Sequence, residues 1–159
     1  MGMQADAELI RNSVLGQDLS EQEAQLLASI TRHRRLATDE LLYEADTQDN
    51  NLYVIASGKI SVGHQKGDRW EEIATLKEGA MVGEMSFVDG NPHTLSARAI
   101  KPTEVLVINR DDFEELVERS PMTCYHIMRA IIRNGHRLQK EMNARFIEMS
   151  RFIQNQYMG

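Results

Sequence analysis

Met81-Val82-Gly83-Glu84-Met85-Ser86-Phe87-Val88-Asp89-Gly90-Asn91-Pro92-His93-Thr94-Leu95-Ser96-Ala97-Arg98-Ala99-Ile100 is the stretch whose reading decides the fold of this 159-residue chain. Gly83 introduces a short apolar segment, Met85 to Val88, which ends at the turn residues Asp89-Gly90-Asn91-Pro92 before a strand-prone run. A glycine lets a backbone come close to a ligand, and free amides at the start of a helical turn can hold an anion. From composition alone, a plain tight turn competes with that reading.

On either side of this segment the pattern is one of short β-prone runs. They are Leu52 to Ala56, Lys59 to Val62, Trp70 to Leu76, Thr94 to Ile100 and Glu104 to Ile108, separated by turn residues such as Ser57-Gly58, Lys66-Gly67-Asp68 and Glu78-Gly79. Many short strands at this spacing predict a mainly β protein: an antiparallel double-stranded β-helix, or jelly-roll barrel, over residues 36–108. Helices are expected to flank it. Ala5 to Val14 and Glu21 to His33 read as two short ones, with Ser20 and Glu23 at capping-box spacing. His33 is expected to end the second.

After Arg110 the periodicity becomes helical, with Phe113, Leu116 and Val117 on one face. Ser120-Pro121 opens a second helix that runs to about Gln156. Met128, Ile131, Gly135, Leu138, Met142, Arg145, Met149 and Phe152 follow alternating spacings of three and four, the pattern of a coiled-coil seam. A helix of about 35 residues would span about 50 Å and outrun a barrel of this mass. A parallel homodimer through Met128, Ile131, Gly135, Leu138, Met142, Met149 and Phe152 is therefore expected. The organisation expected is residues 1–120 as helices, barrel and short following helix, and residues 121–159 as a dimerisation helix with no helix-turn-helix domain.

Several of these segments, in this order, carry a resemblance. Glu44-Ala45-Asp46, Leu52-Tyr53-Val54-Ile55-Ala56-Ser57-Gly58, and Gly83-Glu84-Met85-Ser86-Phe87 with its Asp89-Gly90-Asn91-Pro92 return resemble the cyclic nucleotide-binding domain family over about residues 8–140. That family includes the sensor domains of catabolite-activator-type regulators and of cyclic-AMP-dependent kinase regulatory subunits. The resemblance implies that the amides of Gly83, Glu84, Met85 and Ser86 hold a cyclic phosphate and that Glu84 accepts a hydrogen bond from a ribose hydroxyl. Thr94 matches a Ser/Thr that helps bind the phosphate, and Leu95 matches a small apolar position. The implied ligand is cyclic AMP or cyclic GMP.

His93 stands where the family places a phosphate-pairing arginine. Arginine supplies a permanent charge and a fixed donor fork, whereas an unperturbed histidine, with a pKa of about 6.5, is mostly neutral at cytoplasmic pH. The replacement leaves open weak or pH-sensitive binding, another anion, or a lost site. Two function classes follow. One is a stand-alone regulatory sensor that binds a cyclic nucleotide or similar small phosphorylated ligand and moves its C-terminal helix. The other is a degenerate barrel that serves as a protein-interaction or assembly module. Arg98, five residues from His93, is not an obvious substitute for the missing cation.

Composition narrows the field further. Residues 1–120 hold 12 Lys/Arg against 22 Asp/Glu, and residues 121–159 hold 6 against 2. This asymmetry favours a basic helix docked on an acidic body over nucleic-acid binding, and no DNA partner is expected. The single cysteine, Cys124, fits a buried apolar role and a reducing, cytoplasmic setting. Met1 to Glu8 lacks a leader pattern and no apolar run is long enough to cross a membrane. No metal-ligand spacing or catalytic set accompanies the five histidines, so neither a metal, another cofactor nor enzymatic activity is expected. Trp70 reads as hairpin packing. An unidentified effector protein would receive any signal.

Overall fold

The computed structural model describes residues 2–158. Met1, where the leader reading begins, and Gly159, which closes the expected C-terminal region, lie outside them. The elements in chain order are α1 (Gly2–Asn12), α2 (Glu21–Ala28), β1 (Thr31–Leu36), β2 (Leu41–Tyr43), β3 (Asn51–Ser57) and β4 (Lys59–Lys66). There follow β5 (Arg69–Lys77), β6 (Met81–Val82), α3 (Glu84–Asp89), β7 (Ser96–Ala99), β8 (Thr103–Asn109), α4 (Arg110–Arg119) and α5 (Pro121–Met158).

The eight strands form two antiparallel four-stranded sheets, ordered β1-β8-β3-β6 and β2-β7-β4-β5. The expected jelly-roll or double-stranded β-helix barrel is not present. The sheets do not close on themselves, and helix exceeds strand, 46% against 29%, so the chain is not mainly β. The turn signals located β3, β4, β5, β7 and β8 but not β1, β2 and β6, and short strands with turns between them do not dictate closure. The single 38-residue α5 supplies about half of the helical residues.

Alternation along β3 and β8 defines the layers. Leu52, Val54 and Ala56 of β3, with Leu106 and Ile108 of β8, join a core built from all five helices. The intervening Tyr53, Ile55 and Val105 point the other way, against Leu42, Ile60, Ala97 and Ala99 of the second sheet. The central strands β3 and β8 are thus covered on both faces, and for this reason β3 reads as an unbroken apolar run. The second sheet is covered on one face only. Its outer strand β5 is largely exposed.

Ser20 caps α2 as expected: its hydroxyl accepts the Glu23 N–H at 3.1 Å while Glu23 Oε1 accepts the Ser20 N–H at 3.1 Å. The other oxygen of Glu23 accepts from Thr123 at 3.1 Å and meets His126 Nδ1 at 2.9 Å, both on α5. One carboxylate therefore ties the start of α2 to the start of α5. Burial works against its ionisation, yet the bonds from Ser20, His126 and Thr123 prevail and hold the Glu23 carboxyl below its ordinary value.

The second expected helix is shorter than the sequence suggested. It stops at Ala28, and Thr31 to His33 open β1 instead, because Thr31 to Leu36 find a ladder partner in Ile108 to Thr103. His33 consequently does not end a helix. It bridges Asp6 of α1 at 2.7 Å and Glu104 of β8 at 2.8 Å, so that only the imidazolium can donate to both. The hydrogen bonds to Asp6 and Glu104 outweigh burial and raise the His33 pKa. A raised folded-state value gives stabilisation that is complete below the unfolded-state pKa of about 6.5 and is lost as pH rises through the folded-state value. Thermal melts of wild type and His33→Gln should therefore differ most below about pH 6.5, with wild type the more stable, and converge as pH rises through the raised folded-state value.

Candidate functional site: a pocket at the start of helix α3

Helix α3 is held between two glycines in left-handed conformation, Gly83 (φ 84°) and Gly90 (φ 71°). At Gly83 the requirement is steric as well. A Cβ there would lie 3.2 Å from the Asn51 carbonyl oxygen, 3.3 Å from the Tyr53 ring and 3.4 Å from His93. The helix is anchored from behind by Phe87, which meets Phe113 of α4 edge-on at 5.1 Å, and by Arg110, which donates to the Val88 carbonyl at 3.0 Å.

Gly83, Glu84, Met85, His93, Thr94 and Leu95 line one cavity of about 540 Å³, together with Tyr43, Asp46, Val62, Val82, Asn91 and Pro92. Six of the seven expected ligand residues are brought together there. Ser86 is not among them, since it is buried and its hydroxyl accepts the Asn50 N–H at 3.2 Å. Glu84 and Asp46 line the cavity without a side-chain hydrogen bond or ion pair among the described residues. No lysine or arginine lines it. Arg98 stands apart, its guanidinium 4.5 Å above the Trp70 ring on the second sheet, and Trp70 itself donates to Ser61 at 2.8 Å in the hairpin.

The position of His93 is the decisive detail. Its side chain is only 3% exposed, with Nε2 at 3.1 Å from Asp49 Oδ1. The ring stacks on Tyr43 at 3.6 Å and 12°. The His93 N–H donates to Thr47 at 2.8 Å and its carbonyl accepts from Asp46 at 2.7 Å, so backbone and side chain are fastened to the β2–β3 connection alike. Asp49 is held in turn by the Asn51 N–H at 3.1 Å and the Tyr53 hydroxyl at 2.6 Å. Burial and the bond to Asp49 push the Tyr53 phenol up to about 12, which keeps it a donor at neutral pH. Burial, with the charges of Glu84 and Asp49, also raises the Tyr43 pKa.

Comparison with known proteins places this geometry. Residues 33–120 match the model of the cyclic nucleotide-binding domain. The chain belongs to that family. Among curated relatives, the cyclic AMP receptor protein of Thermus thermophilus is 26% identical over 143 residues, which is 89% of this chain and 66% of the receptor. The solved catabolite activator protein from the same organism aligns with a TM-score of 0.69 at 26% identity, over 83% of this chain and 62% of that one. A cyclic nucleotide-binding domain from Methylobacillus flagellatus shares the fold at a TM-score of 0.76 and 24% identity, over 89% of this chain and 81% of its own. The chain thus spans about two thirds or less of the curated relatives it matches.

Sequence alone assigned Tyr43, Asp49 and Tyr53 no role in the site. Asn51 and Tyr53 share a face of β3 by alternation, but Asp49 reaches them only through the left-handed turn at Asn50, which alternation does not show. No cluster of His, Cys, Asp and Glu among the described residues could hold a metal, and no described helix is long and apolar enough to cross a membrane. Gly83→Ala should lower stability by about 1–2 kcal/mol through the left-handed backbone alone, with the close Asn51 contact adding to it. A denaturant titration measures this; an unchanged midpoint would contradict the packing described.

Proposed function

We propose that this domain is a regulatory sensor that holds a small ligand of the cyclic-nucleotide class in the Gly83–Leu95 cavity, weakly or with altered specificity, and couples occupancy to α5. The observation that carries the reading is Glu84: an unpartnered carboxylate at the mouth of α3, lining a cavity with Gly83, Met85, Thr94 and Leu95, where a sugar hydroxyl could donate to it. Family membership and the cyclic AMP receptor among its relatives support the same class. Ser86 acts at one remove in this reading, fixing α3 to Asn50. A cytoplasmic setting belongs to the same proposal.

A route for coupling is available. A ligand that shifts α3 would act on α4 through Phe87 against Phe113 and through the Arg110 bond to Val88, and α4 leads directly into α5. One observation favours the second reading, an assembly module without ligand function. His93 is already bonded to Asp49 and stacked on Tyr43. Calorimetric titration of the full chain with cyclic AMP and cyclic GMP tests the two against each other. Binding should be detectable, and Glu84→Gln should weaken it about tenfold through loss of a charged acceptor. Heat-silent titrations with no thermal shift favour the assembly module.

The second element of the proposal is a homodimer through the distal half of α5. Leu138, Met142, Met149 and Phe152 are 41%, 68%, 63% and 63% exposed, and Gly135 is open to solvent above them. Met128 and Ile131 are different. They pack into the chain's own core, so a seam between two copies begins past them. A second copy, parallel to the first, would cover the exposed stripe. Light scattering at micromolar concentration should give about twice 18.1 kDa, and Leu138→Glu with Met142→Glu should shift the protein to monomer. A monomeric wild type would refute the pairing.

A further inference from the structure

The charges around the cavity are unbalanced in a way that bears on what it can hold. Asp46 and Glu84 line it, neither carrying a side-chain hydrogen-bond or ion-pair partner among the described residues; Asp46 also borders the adjoining cavity that holds Arg98, but among the described residues no lysine or arginine lines this one. The sole side chain there able to carry positive charge is His93, and its Nε2 is spent on Asp49. That carboxylate cannot readily leave. Oδ1 also accepts the Asn51 N–H, Oδ2 accepts the Tyr53 hydroxyl, and Asn51 and Asn109 extend the chain of bonds at 3.2 and 2.9 Å.

His93 is equally fixed. It lies between the Tyr43 ring and Gly83, with both backbone bonds to the β2–β3 connection made, so turning its imidazole toward the cavity would break several contacts at once. A phosphate entering this space would meet the Asp46 and Glu84 carboxylates and a histidine whose Nε2 is already committed to Asp49. A hydroxyl meets the opposite: Glu84 is a free acceptor.

We infer that Asp49 supplies from within the protein the negative charge a ligand phosphate would otherwise bring, so that the cavity selects ribose-bearing ligands without a phosphate over cyclic nucleotides. The inference rests on the reading of the Gly83–Leu95 cavity as the ligand site and narrows its ligand to the chemistry of an uncharged nucleoside. Arg98 lies in the adjoining cavity beside Trp70, which shares Asp46 and Thr94 with this one but is lined also by Asp39 and Glu44, and its guanidinium sits 4.5 Å over the Trp70 ring.

Calorimetric titration of the full chain with adenosine, guanosine and their 3',5'-cyclic phosphates tests this. One nucleoside should bind at least about tenfold tighter than its cyclic phosphate, the scale of one unfavourable charge contact at intermediate dielectric. Asp49→Asn removes the charge and keeps one oxygen for the Asn51 N–H and His93, while its amide NH2 can donate to the Tyr53 hydroxyl oxygen. It should tighten cyclic phosphate binding and leave the nucleoside unchanged, narrowing the ratio. A wild type that prefers the cyclic phosphate overturns the inference while leaving the cavity as the ligand site. A ratio unmoved by Asp49→Asn overturns the role of Asp49. Silence toward all four compounds, in wild type and variant alike, removes both the inference and the ligand site.

Discussion

The antiparallel pairing of β3 with β8, in which Val54 lies opposite Leu106 and Ile55 opposite Val105, is the contact on which the other elements depend. Both strands are covered on both faces, so this single ladder is the floor of the helical core and the ceiling of the inter-sheet core. Fully burying one of its Leu, Ile or Val side chains contributes about 1.5–3 kcal/mol. The ladder also sets the site. Asn51 and Tyr53 come from the first turn of β3, and Asn109, at the end of β8, donates to Asn51. Displacing the register by one residue would exchange the two cores and carry Tyr53 away from Asp49.

The pocket combines a preserved frame with an altered charge. Two left-handed glycines and the Phe87 anchor fix α3, and Glu84 at its start lines the cavity without a side-chain partner among the described residues. A histidine held by an internal aspartate stands where the family's resemblance leads one to expect arginine. A guanidinium has five donors and can serve two anions at once; one imidazole nitrogen serves one. In the proposed reading, any difference in recognition would come from the number of donors and from what already occupies them, more than from pocket volume.

Much of this was legible in residue order. The capping box at Ser20, the turn glycines, the run Leu52 to Ala56, and the Gly83–Leu95 cassette each carry local signals, and local signals survive folding. The closure of the sheets was not legible, because it depends on which strand edges meet, and β2 and β6 are too short to advertise themselves. Thr31 to His33 looked helical until β8 offered a partner. Met128 and Ile131 fit the seam spacing as well as Leu138 does, yet periodicity cannot distinguish a face covered by the chain's own core from one left open. His93 was noticed as a departure, but its engagement with Asp49, 44 residues away, is a contact of tertiary structure.

Glu23 has a mechanical consequence out of proportion to its size. By holding Ser20, Thr123 and His126 together, it sets the angle at which α5 leaves the body. From residue 135 onward that helix is exposed along its whole described length, an arm of about 35 Å. Measured from the clamp at Thr123 and His126, a pivot change of only about 5° would carry the far end sideways by about 4 Å, roughly three quarters of a helical turn. Small adjustments near α2 and α4 are thus multiplied at the tip, where Phe152 and Ile153 lie uncovered.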